Sequence, residues 1–365
     1  MARVVVLILH PDPAPTAGPL ERWLLAARRE LAERHRLAFA EAGASVVRVV
    51  AGPRDDTPFG ARLRSFVEAE DADGLVVLGS GSVPFATDAD LRAFVEAAGS
   101  GRRDALTNNW YSSDIVAVGR AEDLAGVPDL PSDNALPRWL AEAAGFRVAV
   151  RGGVRLGFDL DVPLDILLAE TRLSLTADVP AGIDLMPVRE RLAEARDAAA
   201  DAAAELVVAG RTSPATLHWL ERASAARVRA LIEERGLRSA SPGANRRPPR
   251  SVLGRLLDRE GPEALGELLA EFGDAAFVDS RVLIAHRYGL DERAWPLPED
   301  RFASDLLLHD RVTHPWLRAL TASASSAPIP VILGGHTLIG PGLRLALRTR
   351  RSGTARVGAA ARRTA

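Results

Sequence analysis

The chain contains no cysteine, no lysine and no glutamine, so all 46 of its basic residues are arginine. The missing cysteine removes disulfides, thiolate nucleophiles and Cys-ligated zinc, and with them a secreted disulfide scaffold. The missing lysine excludes a Walker-A phosphate loop, a Schiff-base enzyme and a protein-kinase site, each of which needs that amine. Phosphate or carboxylate recognition must then fall to arginine forks, backbone N–H groups or a metal. There is no basic excess either. The net charge is -2, which leaves no counter-charge for a phosphate backbone and argues against a nucleic-acid partner. Long apolar runs are also lacking. None reaches the roughly 18 residues of a membrane span, and the opening MARVVVLILHPDP stops at His10 and Pro11. It lacks the charged start and small-residue cleavage site of a signal peptide. The expectation is a cytoplasmic protein with no membrane partner. Oligomeric state is left open.

The 365 residues are 47% hydrophobic and 26% charged, an ordinary globular composition, and at about 100–200 residues per domain they suggest two domains. Arg3–Leu9 is a continuous Val/Ile/Leu run, the pattern of a strand covered on both faces. Leu20–Ala42 carries Trp23, Leu24, Ala27, Leu31, Leu37 and Phe39 between Arg and Glu, an amphipathic helix ended by Gly43. Strands at Ser45–Val50, Gly74–Leu78, Ile115–Val118 and Arg147–Val150 alternate with helices at Ala61–Glu70, Asp88–Ala98 and Ala135–Ala144. Thr87 reads as the N-cap of the second of these helices, with Asp90 as its N3 acid. This alternation predicts an α/β fold, with a mostly parallel Rossmann-like sheet carrying helices on both faces over 1–170.

A helix-rich region with a few strands is expected over 171–345. Val188–Ala204 and Pro214–Arg235 read as helices, and Leu206–Ala209, Ala275–His286 and Ile329–Gly335 as strand-like runs. Residues 239–250, SASPGANRRPPR, read as a linker, and 346–365 as a basic disordered tail.

Three polar segments stand where strands of the first half end. Gly79-Ser80-Gly81-Ser82 follows a buried strand and precedes a capped helix, so backbone and helix N-terminus could meet an anion. Asn108, Asn109, Ser112 and Asp114 lie in a polar run beside Trp110 and Tyr111, able to read hydroxyls and stack on a ring. Asp133 and Asn134 form a companion pair that also suits a helix N-cap. Third, Asp159 and Asp161 alternate in FDLDVPLD. On a strand they would share one face, where two carboxylates repel unless a cation lies between them. Oxygen ligands without cysteine suit Mg²⁺ or Mn²⁺. The plainer readings are a simple β-to-α connection, a polar turn and an exposed edge. In the second half Arg281, His286, Asp305 and His336 are candidates for anion binding or proton transfer. The plainer alternatives there are structural histidines and an ion-pair network between helices.

Taken together, the three first-half segments resemble the nucleotide-diphospho-sugar transferase superfamily, the GT-A-like fold of nucleotidyltransferases and many glycosyltransferases. Ser82-Val83-Pro84-Phe85 looks like that family's Asp-x-Pro-Leu element, and Asp159-Leu160-Asp161-Val162-Pro163-Leu164-Asp165 like its later Asp-x-Asp-x-Pro-x-Asp element. The resemblance implies a metal on Asp161, with Asp159 beside it as second catalytic acid, and the Asn108–Asp114 segment facing an acceptor. The implied function is transferase-like, a nucleotide or sugar-phosphate bound at the strand ends with a divalent ion. Two departures support an alternative. The stretch His10–Gly18 has no basic residue where the family holds a triphosphate, and Ser82 stands where it has an acid. The alternative is a non-catalytic ligand- or partner-binding protein on a degenerate form of the same fold.

Overall fold

The computed structural model describes residues 2–53, 55, 57–237 and 247–348. Most of the stretch 239–250 and the tail beyond Arg348 therefore lie outside the described residues. The first half runs β1 (Val4–Pro11), α1 (Pro19–Glu41), β2 (Val46–Gly52), α2 (Phe59–Ala69), β3 (Gly74–Gly79), α3 (Asp88–Ala98), β4 (Asp104–Thr107), β5 (Ile115–Val118), α4 (Leu136–Glu142), β6 (Arg147–Val150) and α5 (Pro163–Leu173). Its sheet has the order β2-β1-β3-β5-β4-β6. All neighbours are parallel except β5, which runs antiparallel to both β3 and β4.

The apolar run of β1 is continuous because both of its faces are covered. Val5 and Leu7 pack with Leu63 of α2 and Leu136 and Leu140 of α4. Val4, Val6 and Ile8 pack on the opposite face with Phe39 of α1 and Phe94 of α3. Alternation of side chains along a strand is what splits one run between two cores. The capping box of α3 forms as expected. Thr87 accepts from the Asp90 N–H, and the Asp90 carboxylate accepts from the Thr87 N–H. One expectation for α1 differs: Leu37 is exposed on its outer face.

The second half runs α6 (Met186–Ala200), β7 (Glu205–Gly210), α7 (Pro214–Ala223), β8 (Arg227–Ile232), α8 (Val252–Glu260), α9 (Leu265–Ala270), β9 (Ala275–Asp279), α10 (Ser280–Tyr288), α11 (Pro298–Asp305), α12 (Pro315–Ser326), β10 (Val331–Gly334) and α13 (Leu343–Ala346). It builds a four-stranded, all-parallel sheet of order β10-β9-β7-β8, so this half is α/β as well. The helix expected over Pro214–Arg235 breaks after Ala223, and Arg227–Ile232 pairs with β7 as the edge strand β8. Arg, Ala, Leu and Glu carry high helix propensity, but pairing beside Glu205 offers Arg227 and Arg229 a carboxylate across the strands. The run Ala275–His286 likewise divides into strand β9 and helix α10 at Asp279, whose side chain caps the helix by accepting from Arg281 N–H.

The two halves share one apolar core. It extends from Leu20, Trp23, Leu24, Ala27 and Leu31 of α1 through α5 into the second sheet. Glu299 of α11 accepts from the Leu20 and Glu21 N–H groups, both at 3.0 Å, and so caps α1 from the other half of the chain.

Candidate functional site

The carboxyl ends of β1, β3 and β4 lie at one edge of the first sheet, with the start of β5 beside them because that strand is reversed. This edge brings Gly79–Ser82, Asn108–Asp114 and Asp159–Asp161 together. The Gly79–Ser82 turn is not an open cradle. The Gly81 carbonyl accepts from the Leu160 N–H at 2.9 Å. A Cβ on Gly81 would stand 2.7 Å from Arg28 Nε and 2.8 Å from the Leu160 carbonyl oxygen. The glycine is needed for close approach by the protein's own chain.

Two histidines staple the same turn. His10 Nδ1 lies 3.0 Å from Ser80 Oγ, and His35 Nε2 donates to the Ser82 carbonyl at 2.9 Å. Burial lowers the pKa of both, with Arg29 and Arg28 adding to the effect at His10. Ser80 and Ser82 are buried.

The expected strand over Asp159–Asp165 is absent. The segment is a loop that turns into α5 at Pro163, and its backbone bonds go to the Gly81 turn and not to a sheet neighbour. The two acids therefore do not share a face. Asp159 points inward and accepts from the Val83 N–H at 3.2 Å, whereas the Asp161 side chain is 42% exposed. Arg28, from α1, donates through Nε to the Leu160 carbonyl and through Nη2 to Asp161 Oδ1 at 3.1 Å. The third acid of the run, Asp165, is buried. Its Oδ2 accepts from the Asp161 and Val162 N–H groups, which closes the first turn of α5. Burial, reinforced by the Asp161 charge, lifts the Asp165 pKa well above the carboxylate range.

Asp159 meets Asp114. The two carboxyls are within hydrogen-bonding reach, so one of them must hold a proton. Burial, with the negative charge of Asp159, pushes Asp114 well up. Burial and the Asp161 charge raise Asp159 to about 7, against the opposing pull of Asp114, Val83 and Arg28. Asn108 organises the pair. Its Oδ1 accepts from the Asp114 N–H at 3.0 Å, and its Nδ2 donates to Asp114 Oδ2 at 2.7 Å and to the Leu156 carbonyl. Asn109 shapes its own turn by accepting from the Tyr111 and Ser112 N–H groups. Asp133 adds a repulsive charge toward Asp114, and its Oδ1 accepts from the Asn134 N–H.

The residues do not fit the divalent ion expected at Asp161 and Asp159. A guanidinium holds the position beside Asp161, and Asp159 is bound to a protonated partner. Among the described residues no group of three or more His, Cys, Asp or Glu is arranged to hold a metal.

Of the second-half candidates, Arg281 and Asp305 form a buried two-pronged ion pair, with Nη2 to Oδ2 at 2.6 Å. Beside them Arg211 grips Asp279 through Nε at 2.6 Å and Nη2 at 3.0 Å. Burial raises the Asp279 pKa, but the charges of Arg211, His336 and Arg281 outweigh it and hold it low. His336 thus belongs with this network, and His286 does not. It lies against α8, where Nδ1 accepts from the Ser251 N–H and Nε2 meets Asp258 at 3.1 Å. This is the ion-pair network between elements, which the Asp and Arg spacing also allowed.

Sequence reasoning missed Arg28, His10 and His35. Arg28 and His35 are seven residues apart on α1 and so share its inner face beside Leu24 and Leu31, a polar interruption that could have been noticed.

The class defined by fold and site is a two-sheet α/β protein with a proton-sharing acid pair at a strand-end edge. No protein-family model matches the chain, and no curated protein matches it. Among solved structures, it is similar to a Mycobacterium sp. strain JC1 homologue of Mycobacterium tuberculosis rv0371c. That match is 19% identical and covers 41% of this chain and 86% of that one, with a TM-score of 0.25. At that level nothing about substrate or activity passes to this chain. No helix among the described residues is long and apolar enough to cross a membrane.

Proposed function

We propose that the chain is a transferase-like protein that binds a nucleotide or sugar-phosphate at the carboxyl edge of its first sheet. The observation that carries this reading is the Asp114–Asp159 pair, two facing carboxyls of which Asp159 is buried and raised to about 7 and Asp114 is pushed well up, beside the Arg28–Asp161 ion pair. Such a couple can take a proton from an attacking hydroxyl or return one to a leaving oxygen. Arg28 supplies the cation that a phosphate group needs in a chain without lysine. The reading includes no metal.

The test is calorimetric titration with nucleoside mono-, di- and triphosphates and hexose 1-phosphates, in the presence of a chelator. One of these classes should bind, and Arg28→Ala should weaken it at least tenfold. Failure of every class to bind, or the absence of any bound equivalent that Arg28→Ala weakens, overturns the proposal.

A non-catalytic ligand-binding protein is the second reading. It is favoured by the closure of the Gly81 turn, which leaves that loop filled by Leu160 and Arg28. It predicts saturable binding without turnover of any of the same ligands in the presence of water or a hydroxyl acceptor.

A further inference from the structure

Two cavities among the described residues lie away from that edge, where α5 of the first half meets the second half. One, of about 840 Å³, runs between α5, α6 and the end of α13. Another, of about 280 Å³, adjoins it and shares Arg172, Leu345 and Arg348. The larger lies within the size range of small-molecule sites and the smaller just under it.

Their lining is unusual in charge. Six arginines, 155, 172, 189, 196, 344 and 348, face these cavities, against two acids, Glu170 and Asp197. Glu170 is already held by Arg189 in a two-pronged pair, both contacts at 2.6 Å. Arg155 serves Asp90. Arg172 and Arg344 are held in another way. The Arg172 guanidinium lies over the Phe85 ring at 5.0 Å, and that of Arg344 over Trp219 at 5.1 Å. Stacking on a ring fixes a guanidinium without neutralising it. Arg344 also donates through Nη2 to the Ala215 carbonyl at 3.3 Å, a partner that brings no counter-charge. Among the described residues no carboxylate pairs with Arg172, Arg344 or Arg348. Burial lowers the Arg344 pKa, the mark of a cation short of a counter-charge. The smaller cavity is otherwise apolar, lined by Phe85, Phe158, Val154 and Pro341.

We infer that this cleft is a second ligand site, taking a polyphosphate anion with a flat apolar head, of the nucleoside polyphosphate class. The head enters the smaller cavity, and the phosphates lie along Arg172, Arg344 and Arg348 toward the larger one. This site shares no residue with the Arg28 and Asp159 edge, so it stands or falls separately from the function proposed above.

The experiment is titration of the full chain with ATP, tripolyphosphate and adenosine in chelator at low salt. ATP is expected to bind saturably with one equivalent in this cleft, tripolyphosphate about tenfold more weakly, and adenosine hardly at all. Arg172→Gln and Arg344→Met keep the stems for packing and should each weaken ATP at least tenfold, with melting temperature confirming the fold. Arg28→Ala should leave unchanged the equivalent that the Arg172 and Arg344 variants weaken, whether or not a separate equivalent at the strand ends is lost. As a charge control, the double variant Arg102→Ala, Arg103→Ala, in exposed surface pairs, should change little. The inference is overturned if ATP does not bind, if adenosine binds as tightly, or if the control weakens ATP as much as the cleft variants do. Loss of ATP binding with Arg28→Ala alone would overturn it too, and would support the strand-end reading instead.

Discussion

Asp159 is the residue on which the pH behaviour of the protein turns. Its carboxyl is raised to about 7 from 3.8, first by burial and then by the charge of Asp161. An acid with a raised folded-state pKa binds more protons folded than unfolded between those two values. Its contribution to stability is therefore best below about pH 4 and is progressively lost as pH rises through 7. Asp159→Asn removes this titration. An amide oxygen still accepts from Val83, and its N–H₂ can donate to Asp114. The variant should be more stable than the parent above pH 7, by roughly 2–4 kcal/mol, and equal to it near pH 4. Urea unfolding at pH 4, 6 and 8 measures this, and a difference independent of pH would sink the assignment. Gly81→Ala tests the other residue-scale claim. A methyl against Arg28 and the Leu160 carbonyl should cost about 1–3 kcal/mol. Unchanged stability would mean that the turn has room to spare.

At the scale of elements, α3 shows how one carboxylate can hold several parts together. Asp90 closes the capping box with Thr87 and also accepts from Arg151 and Arg155, which tie the loop after β6 to the helix start. Burial raises its pKa, but the Thr87 and arginine hydrogen bonds win and hold it at about 2. That contribution is complete above about pH 4 and is lost as pH falls through 2. Asp90→Ala should cost about 1–3 kcal/mol at pH 7, since Arg151 and Arg155 are partly exposed and solvent screens them. The deficit should shrink toward pH 2, and an equal deficit at both pH values would refute the linkage. This helix was legible in the sequence, from Thr87 and Asp90 at capping-box spacing before an apolar run. β8 was not, because an exposed edge strand lacks the buried alternation that marks a strand and its residues favour helix.

For the whole molecule, the decisive fact is that the halves share a core and a helix cap. With Leu20, Trp23 and Leu24 of α1 packed into the cluster of the second sheet, neither half can unfold without exposing the other's apolar surface. Calorimetry should show one thermal transition. Glu299→Ala removes the cap on α1 and should lower that transition as a unit, at about 1–2 kcal/mol. Glu299→Gln should recover part of the loss, keeping an acceptor while giving up the charge at the helix N-terminus. Two resolved transitions in either protein would show that the halves are independent.

What the sequence by itself determined is the set of local environments. The Val/Ile/Leu runs of β1, β3 and β5 report burial on both faces, and the Gly, Asn and Asp runs report where strands end. These are legible because burial and turn chemistry act within a few residues of chain. Only the tertiary structure decided the partners: Asp114 for Asp159, Arg28 for Asp161, Leu160 for Gly81. It also set Arg172 and Arg344 around one cleft. Strand order, the reversal of β5 and the packing of α5 against α1, α11 and α13 bring these side chains together from distant segments. No periodicity along the chain encodes which distant carboxyl will share a proton, because that depends on which strand ends become neighbours.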